Sequence, residues 1–389
     1  MLYRGHPLRT RSRSQKNAST KLNLIVMGQT SSGKTAFVRT MCEYLRSTVI
    51  QGTFKESIPM VLKNPLEPTT ATYSVSMDIE PEDDDERRIS LTITDTPGIS
   101  SNLSLLENQL RYLCMYIDHQ YERTFLEESK VRRTPHATDT HIHACLFFVD
   151  GDKLRQSGRL SDVDRYMIRM LASRVNVIPV VGKGDTMTPP ERQRLKTCCR
   201  NDIFDVFELP VYGYEEMATS DDEQEEQSNH ESLSSPTSEK RGSGSFMLDG
   251  ILDMLEACVE HDDDDEEACC MKEYLQLIPF TVIGFEQDPE SGRPLSQQKN
   301  KQKRTKKKKT RVGKPFLGRY YPWGVVDCCN PEYSDFVQLV TMLLSSHHRD
   351  MLRSETFERF YERYRTGRLM KTRVDKTMAL ESTMKHQVH

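Results

Sequence analysis

Eight residues constrain this chain more than any others: Gly28-Gln29-Thr30-Ser31-Ser32-Gly33-Lys34-Thr35 fits the pattern G-x-x-x-x-G-K-[ST] in full. The glycines let the backbone curl until successive N–H groups face an anion. A helix starting at the end of the loop adds partial positive charge there. Such a loop works only between a buried strand and a helix, and its flanks supply both. Residues 22–27 are an apolar run that reads as a strand, while Phe37, Met41 and Leu45 follow at four-residue intervals, the apolar face of a helix. Lys34 is then expected to reach the outer phosphates of a nucleotide, and the Thr35 hydroxyl to ligate Mg²⁺.

Further apolar runs stand at 89–94, 144–149, 175–181 and 278–284. Between the first two, Leu106, Leu110, Leu113, Ile117 and Tyr121 form a stripe at steps of four, three, four and four, which predicts a long helix. Buried strands alternating with amphipathic helices predict an α/β fold: a doubly wound, mainly parallel sheet covered on both faces.

Three segments break the pattern. Residues 215–245 are rich in Glu, Asp, Ser and Gly, too polar to build a core, and are expected to be disordered. The acidic run 260–267 reads as a solvated loop, and residues 299–311 carry nine basic residues in thirteen. The expected organisation is therefore a basic leader over 1–21, one nucleotide domain over 22–369 with these inserts, and a tail over 370–389. No sustained heptad marks that tail, so a coiled coil is not expected. The net charge of −4 says little about partners, because the charges are segregated into blocks.

The ten cysteines include three adjacent pairs and no C-x-x-C, so neither a zinc site nor a disulfide framework is expected. No apolar run approaches the ~20 residues that span a bilayer. The leader is basic without an apolar centre, unlike a secretory signal. A reduced cytoplasmic chain is the expectation.

The phosphate loop does not choose between ATP and GTP. Gly182-Lys183-Gly184-Asp185 does, since it follows the run 175–181. A carboxylate there can accept hydrogen bonds from both N1–H and the 2-amino group of guanine, whereas adenine offers no matching donors. The Lys183 stem can pack over the base plane. Asp95-Thr96-Pro97-Gly98 ends the run 89–94, where a nucleotide switch places an Asp on a Mg²⁺-bound water and a Gly N–H near the γ-phosphate. Taken alone, each of these is an ordinary turn. In this order behind a phosphate loop they read as one guanine-nucleotide site. A phosphate-loop ATPase or kinase leaves Asp185 unexplained.

With these motifs in order, the chain resembles the septin family. Gly318-Arg319-Tyr320-Tyr321-Pro322-Trp323-Gly324 is similar to the family's G-R-x-Y-P-W-G signature, and residues 330–369 to the element that separates septins from other GTPases. The stretch from Tyr116 to Arg123 also resembles the septin helix that follows Asp-Thr-Pro-Gly. The likeness covers about 22–213 and 275–369.

The resemblance implies a GTP/GDP- and Mg²⁺-binding subunit that pairs with other septins into hetero-oligomers and filaments at the cell cortex or division septum. It implies that Thr69 is the first-switch threonine completing the Mg²⁺ shell, and the residue on which any hydrolysis depends. It places Arg319 against the guanine, Gly284 in the base-side loop, and Trp323 at the interface formed across the nucleotide. An ordinary core tryptophan is the alternative for Trp323.

Three departures stand out. Gly182-Lys183-Gly184-Asp185 replaces the usual Ala-Lys-Ala-Asp and predicts a looser loop. Ile99-Ser100-Ser101 leaves no glutamine after Gly98 to orient water, which predicts slow hydrolysis. Gly158 stands where many septins carry a histidine that reaches the neighbouring subunit's nucleotide, which predicts weaker self-pairing.

Arg9, Arg11, Arg13, Lys16 and Lys21 occupy the place of the family's basic stretch, which implies contact with phosphoinositide-containing membranes. The run 299–311 could serve the same surface, act as an import signal, pair with the acidic inserts or stay solvated. No aromatic residues interleave with its lysines, so nucleic-acid binding is not expected. The competing class is a soluble GTPase switch whose hydrolysis is its main activity.

Overall fold

The apolar run behind the phosphate loop becomes strand β1 (Thr20–Gly28), and the loop leads into helix α1 (Lys34–Leu45). The computed structural model describes residues 19–57, 71–80, 87–132, 138–214, 246–261, 265–288, 294 and 316–387. Thr69, the insert 215–245, the basic run 299–311 and all of the leader but its last three residues lie outside these.

The chain then forms β2 (Lys55–Glu56), β3 (Tyr73–Ile79), β4 (Ile89–Asp95) and the long helix α2 (Leu103–Glu128). Next come β5 (Ala144–Asp150), α3 (Gly151–Ser157), α4 (Asp162–Ala172), β6 (Asn176–Gly182) and α5 (Pro189–Asn201). After the insert follow α6 (Phe246–His261), α7 (Glu266–Leu277) and β7 (Phe280–Thr281). A hairpin of β8 (Gly318–Tyr321) and β9 (Gly324–Asp327) precedes α8 (Phe336–Leu344), α9 (Ser346–Glu355) and α10 (Glu362–Gln387).

The seven-stranded sheet has the order β2-β3-β4-β1-β5-β6-β7. The strands from β4 to β7 run parallel, and β3 and β2 are added antiparallel at one edge. This is the doubly wound, mainly parallel α/β fold expected. Every residue of β5 and β6 is buried, as strands covered on both faces require, whereas β3 alternates buried and half-buried. Phe37 and Met41 of α1, the stripe from Leu106 to Tyr121 on α2, and Met167 and Leu171 of α4 enter the same core. After β1 the chain builds one side of the sheet, and β5 begins the other. That reversal opens a crevice at the carboxyl ends of β1 and β5, the place where such sheets bind ligands.

The run 278–284 supplies only two strand residues. Beyond Thr281 the backbone leaves the ladder: Val282 N–H donates to Val181 O, its carbonyl accepts from Gly184 N–H, and Phe285 N–H goes to the Thr40 hydroxyl on α1. The C-terminal element covers that edge of the sheet. Asp335 N–H donates to Thr281 O at 2.7 Å, and its carboxylate accepts from Thr281 N–H and from Lys196 Nζ.

The run 260–267, read as a solvated loop, enters a helix at each end. Glu260 closes α6. Asp265 caps α7, accepting from Ala268 N–H, with Glu266 and Glu267 in the first turn, where their charge suits the helix dipole. The tail continues α10 to Gln387, with Met370, Val374 and Met378 exposed at four-residue spacing. All ten cysteines are free. Among the described residues no helix is long and apolar enough to cross a membrane.

Candidate nucleotide site

The phosphate loop is held shut by close backbone packing. Gly28 has φ 142°, and a Cβ there would lie 2.3 Å from Phe148 O on β5. Gly33, with φ 99°, starts α1 in the left-handed region, and Ser31 is left-handed as well. The buried Ser32 hydroxyl donates to Gln29 O. Lys34 is only 5% exposed and folds over the loop, donating to Gly28 O at 3.1 Å and Gln29 O at 2.7 Å. Burial lowers its pKa to about 8, against the opposing pull of Asp95 and Asp150. With water excluded, its charge acts on a neighbouring anion with little screening.

Beside it, the Thr35 hydroxyl donates to Asp95 Oδ2 at 2.6 Å. Asp95 is fully buried, burial raises its pKa, and its Oδ1 has no hydrogen-bond partner among the described residues. A hydroxyl and a buried carboxylate with an uncompensated oxygen make a donor set suited to a hard, partly hydrated cation such as Mg²⁺. Gly98 presses on the loop: a Cβ there would meet Thr30 Cα at 2.5 Å. Ile99 N–H donates to Gly28 O, Ile99 O accepts from Thr30 N–H, and the Ile99 side chain is buried in the core. The residue after Gly98 therefore projects nothing polar into the site.

Gln29, in the variable part of the motif, ties the loop to its surroundings. Its amide donates to Asp164 and Ser161 on the α4 side, and its carbonyl oxygen accepts from Lys153 and Ser101.

On the base side, the double-glycine loop is tighter than expected. A Cβ on Gly182 would stand 1.9 Å from Ser32 O, and one on Gly184 would stand 2.8 Å from a Thr281 methyl. Here glycine serves close approach rather than looseness. Lys183 is left-handed, and its ammonium contacts Asp150 and Asp152, each at 3.0 Å. Burial works against that charge, but these two carboxylates outweigh it and raise the pKa. Gly284 packs on Ala36 of α1, where a Cβ would come within 2.6 Å.

Asp185 is brought to the β8–β9 hairpin. Its Oδ2 accepts from the Tyr321 hydroxyl and meets Arg319 at 3.1 Å, while Oδ1 is buried without a partner among the described residues. The sequence motifs thus converge into one crevice from Lys34 and Thr35 through Asp95 to Asp185 and Arg319; Thr69 lies outside the described residues. Sequence reasoning gave no role to Tyr321, Asp150, Asp152, Lys153 or Ser101. The signal for Asp150 was present, an acidic residue ending a buried strand beside the one that carries Gly182. The hydrogen-bond partner of Tyr321, Asp185, lies 136 positions away and left no such signal.

The family model described as Septin matches residues 18–238 and 250–378. The chain belongs to the septin family. That match is wider than the stretches legible in the sequence. Cell division control protein 11 of Saccharomyces cerevisiae is 30% identical over 92% of this chain and 69% of its own length. Septin homolog spn3 of Schizosaccharomyces pombe is 27% identical over 96% of this chain and 80% of its own. Septin-2B of Xenopus laevis is 27% identical, with 93% and 80% covered. The septin GTPase domain of Chlamydomonas reinhardtii shares the fold, with TM-score 0.51 and 21% identity over 90% of this chain and 99% of that one.

In this septin Trp323 is no core aromatic. It is 72% exposed at the tip of the hairpin, stacked on Tyr321 with centroids 4.9 Å apart and planes 6° from parallel. Gly158 ends α3 in the left-handed region, and among the described residues nothing lies within 4 Å of its Cβ position. A side chain there would have room but would strain the backbone, a reason for glycine that involves no neighbouring subunit.

Proposed function

We propose that this septin binds GTP and GDP with Mg²⁺, hydrolyses GTP slowly, and assembles with other septins into hetero-oligomers and filaments. The observation that carries this reading is the continuity from Asp185 through Tyr321 to the exposed Trp323, which joins a base-reading carboxylate to an aromatic on the surface. Lys34 and the loop N–H groups bind the phosphates, and Asp185 and Arg319 take the base. Thr35, Asp95 through water, and Thr69 by family position would hold the cation, which neutralises charge on the phosphate oxygens when bound. The names of the yeast relative and of Septation protein 7 from Candida albicans support a role in cell division. A cytoplasmic, cortical location follows from that role, and the basic leader supports contact with phosphoinositide membranes.

Slow turnover follows from Ile99, whose buried side chain offers nothing to orient water. Single-turnover cleavage is expected on the order of 10⁻³ s⁻¹ or slower, with Thr69→Ala lower still. Fast wild-type cleavage, or cleavage indifferent to Thr69, contradicts this and favours a soluble switch.

Assembly is tested with a co-expressed septin complex by sedimentation and electron microscopy at low salt, with and without phosphoinositide vesicles. Unlike faces that do not close a ring give filaments. Trp323→Ala is expected to weaken assembly by about 2 kcal/mol or more. A wild-type chain that stays monomeric with every septin offered rejects the assembly reading. Failure to bind the vesicles at low salt rejects the membrane part alone.

A further inference from the structure

We infer that Tyr321 is a positioning residue for guanine recognition: its hydroxyl fixes the Asp185 carboxylate toward the base, and its ring passes the state of that carboxylate to Trp323. The inference rests on the guanine-binding reading above and adds a specificity role for a residue outside the known nucleotide motifs.

A carboxylate that must accept two hydrogen bonds from one base edge has to be held in one rotation about its side-chain bond. Asp185 sits in a short 3₁₀ turn after Lys183, and no donor within its own loop bonds its carboxylate. Both groups that hold it come from β8, and both act on Oδ2. Arg319 contributes from 3.1 Å but is more than one third exposed, so solvent screens it. The Tyr321 hydroxyl donates a charge-assisted bond to the same oxygen, of the stronger kind. Burial and the hydrogen bond to Asp185 raise the phenol's pKa far above its usual range, so the hydroxyl remains a donor at every physiological pH. With Oδ2 held, Oδ1 is buried and has no partner among the described residues, leaving its two lone pairs for the N1–H and 2-amino donors of a base. An unsatisfied buried carboxylate oxygen is costly, and a ring N–H relieves that cost.

The same ring reports outward. Tyr321 pairs with Gly324 across the two-residue turn Pro322-Trp323, so Tyr321 stands beside the turn and Trp323 within it. Their near-parallel stack is the ring contact through which Trp323 is held, and the rest of that side chain faces solvent. A shift of the phenol as Asp185 takes up a base therefore moves the stack. Trp323 is the only tryptophan of the chain and reads that movement directly.

The test titrates the full-length protein with GDP and with IDP, whose hypoxanthine lacks the 2-amino group and gives Asp185 one bond instead of two. Binding is followed with radiolabelled nucleotide and, in parallel, by Trp323 emission. Tyr321→Phe keeps the ring and removes the hydroxyl, and its thermal unfolding without nucleotide is compared with wild type as a control on folding. The expected result is GDP affinity about 10-fold lower, a smaller loss for IDP, and a GDP-over-IDP preference narrowed by about 3-fold or more. The emission change on binding is expected to shrink with it. A purely structural hydroxyl would weaken both nucleotides equally and leave the preference intact, and that result overturns the inference. Unchanged GDP affinity in the variant overturns it too. A wild-type protein with no saturable GDP binding instead rejects the guanine reading itself, and this inference with it.

Discussion

Asp185→Asn is expected to reverse the base preference of the site, favouring xanthine over guanine nucleotides by about 100-fold relative to wild type. The structure supplies the direction. Tyr321 and Arg319 are both donors, and both face Oδ2. In the asparagine variant they retain the amide oxygen on their side, which turns the NH₂ group to the position of Oδ1. There a donor meets the N1–H and 2-amino group of guanine, two donors that it cannot satisfy. Xanthine carries a 2-oxo group in place of the amine and accepts the new bond. Losing charge-assisted bonds at about 1.5–3 kcal/mol each accounts for the size of the effect. Competition titration of GDP against XDP reads it. Equal weakening of both, with no gain for xanthine, would show that Asp185 does not read the base.

The second large effect concerns how the septin-specific C-terminal element is tied to the sheet. Lys196 on α5 and Asp335 at the start of α8 form an ion pair at 2.7 Å, with both side chains at least nine-tenths buried. Burial lowers the pKa of Lys196, and Asp335 counters that shift. Asp335 also accepts from Thr281 N–H on the edge strand β7, so this one carboxylate joins three elements. Lys196→Met leaves that charge buried and half-compensated. The expected cost is about 3–5 kcal/mol, read as a lower urea midpoint. Adding Asp335→Asn removes the stranded charge while keeping an acceptor for Thr281, and is expected to recover at least half of the loss. A single variant within about 1 kcal/mol of wild type would mean that the pair does not secure this edge.

Some of this protein is written locally and some is not. The phosphate loop is legible because its chemistry and geometry lie within eight consecutive residues: a glycine, Gly28, where a Cβ would strike β5, a left-handed glycine, Gly33, and a lysine and a threonine at the first turn of a helix. The central strands are legible because a strand covered on both faces must be almost wholly apolar, as 144–149 is, and as 175–181 is apart from Asn176. The long helix α2 is legible because its buried stripe repeats with the helical period. The G-R-Y-Y-P-W-G segment is long enough to point to the family that the comparisons then showed.

What the sequence alone could not show are the contacts made across distance. Tyr321 on Asp185, Lys153 on Gln29, and Asp335 on Lys196 each join residues more than a hundred positions apart, and no periodicity encodes such pairs. The two glycines around Lys183 read as freedom in the sequence. Folding turned them into contact, because the strand that carries Gly182 ends so near the phosphate loop that a Cβ there would lie only 1.9 Å from Ser32 O. Trp323 could have been core or surface on composition alone. Its place at the tip of a two-residue hairpin left it stacked on Tyr321 and 72% exposed. Residue types and spacing determined which chemistry this chain can hold. Only the packing of β5, β6 and the β8–β9 hairpin decided which side chains hold it in place, because that depends on distances between strands that the order of residues does not specify.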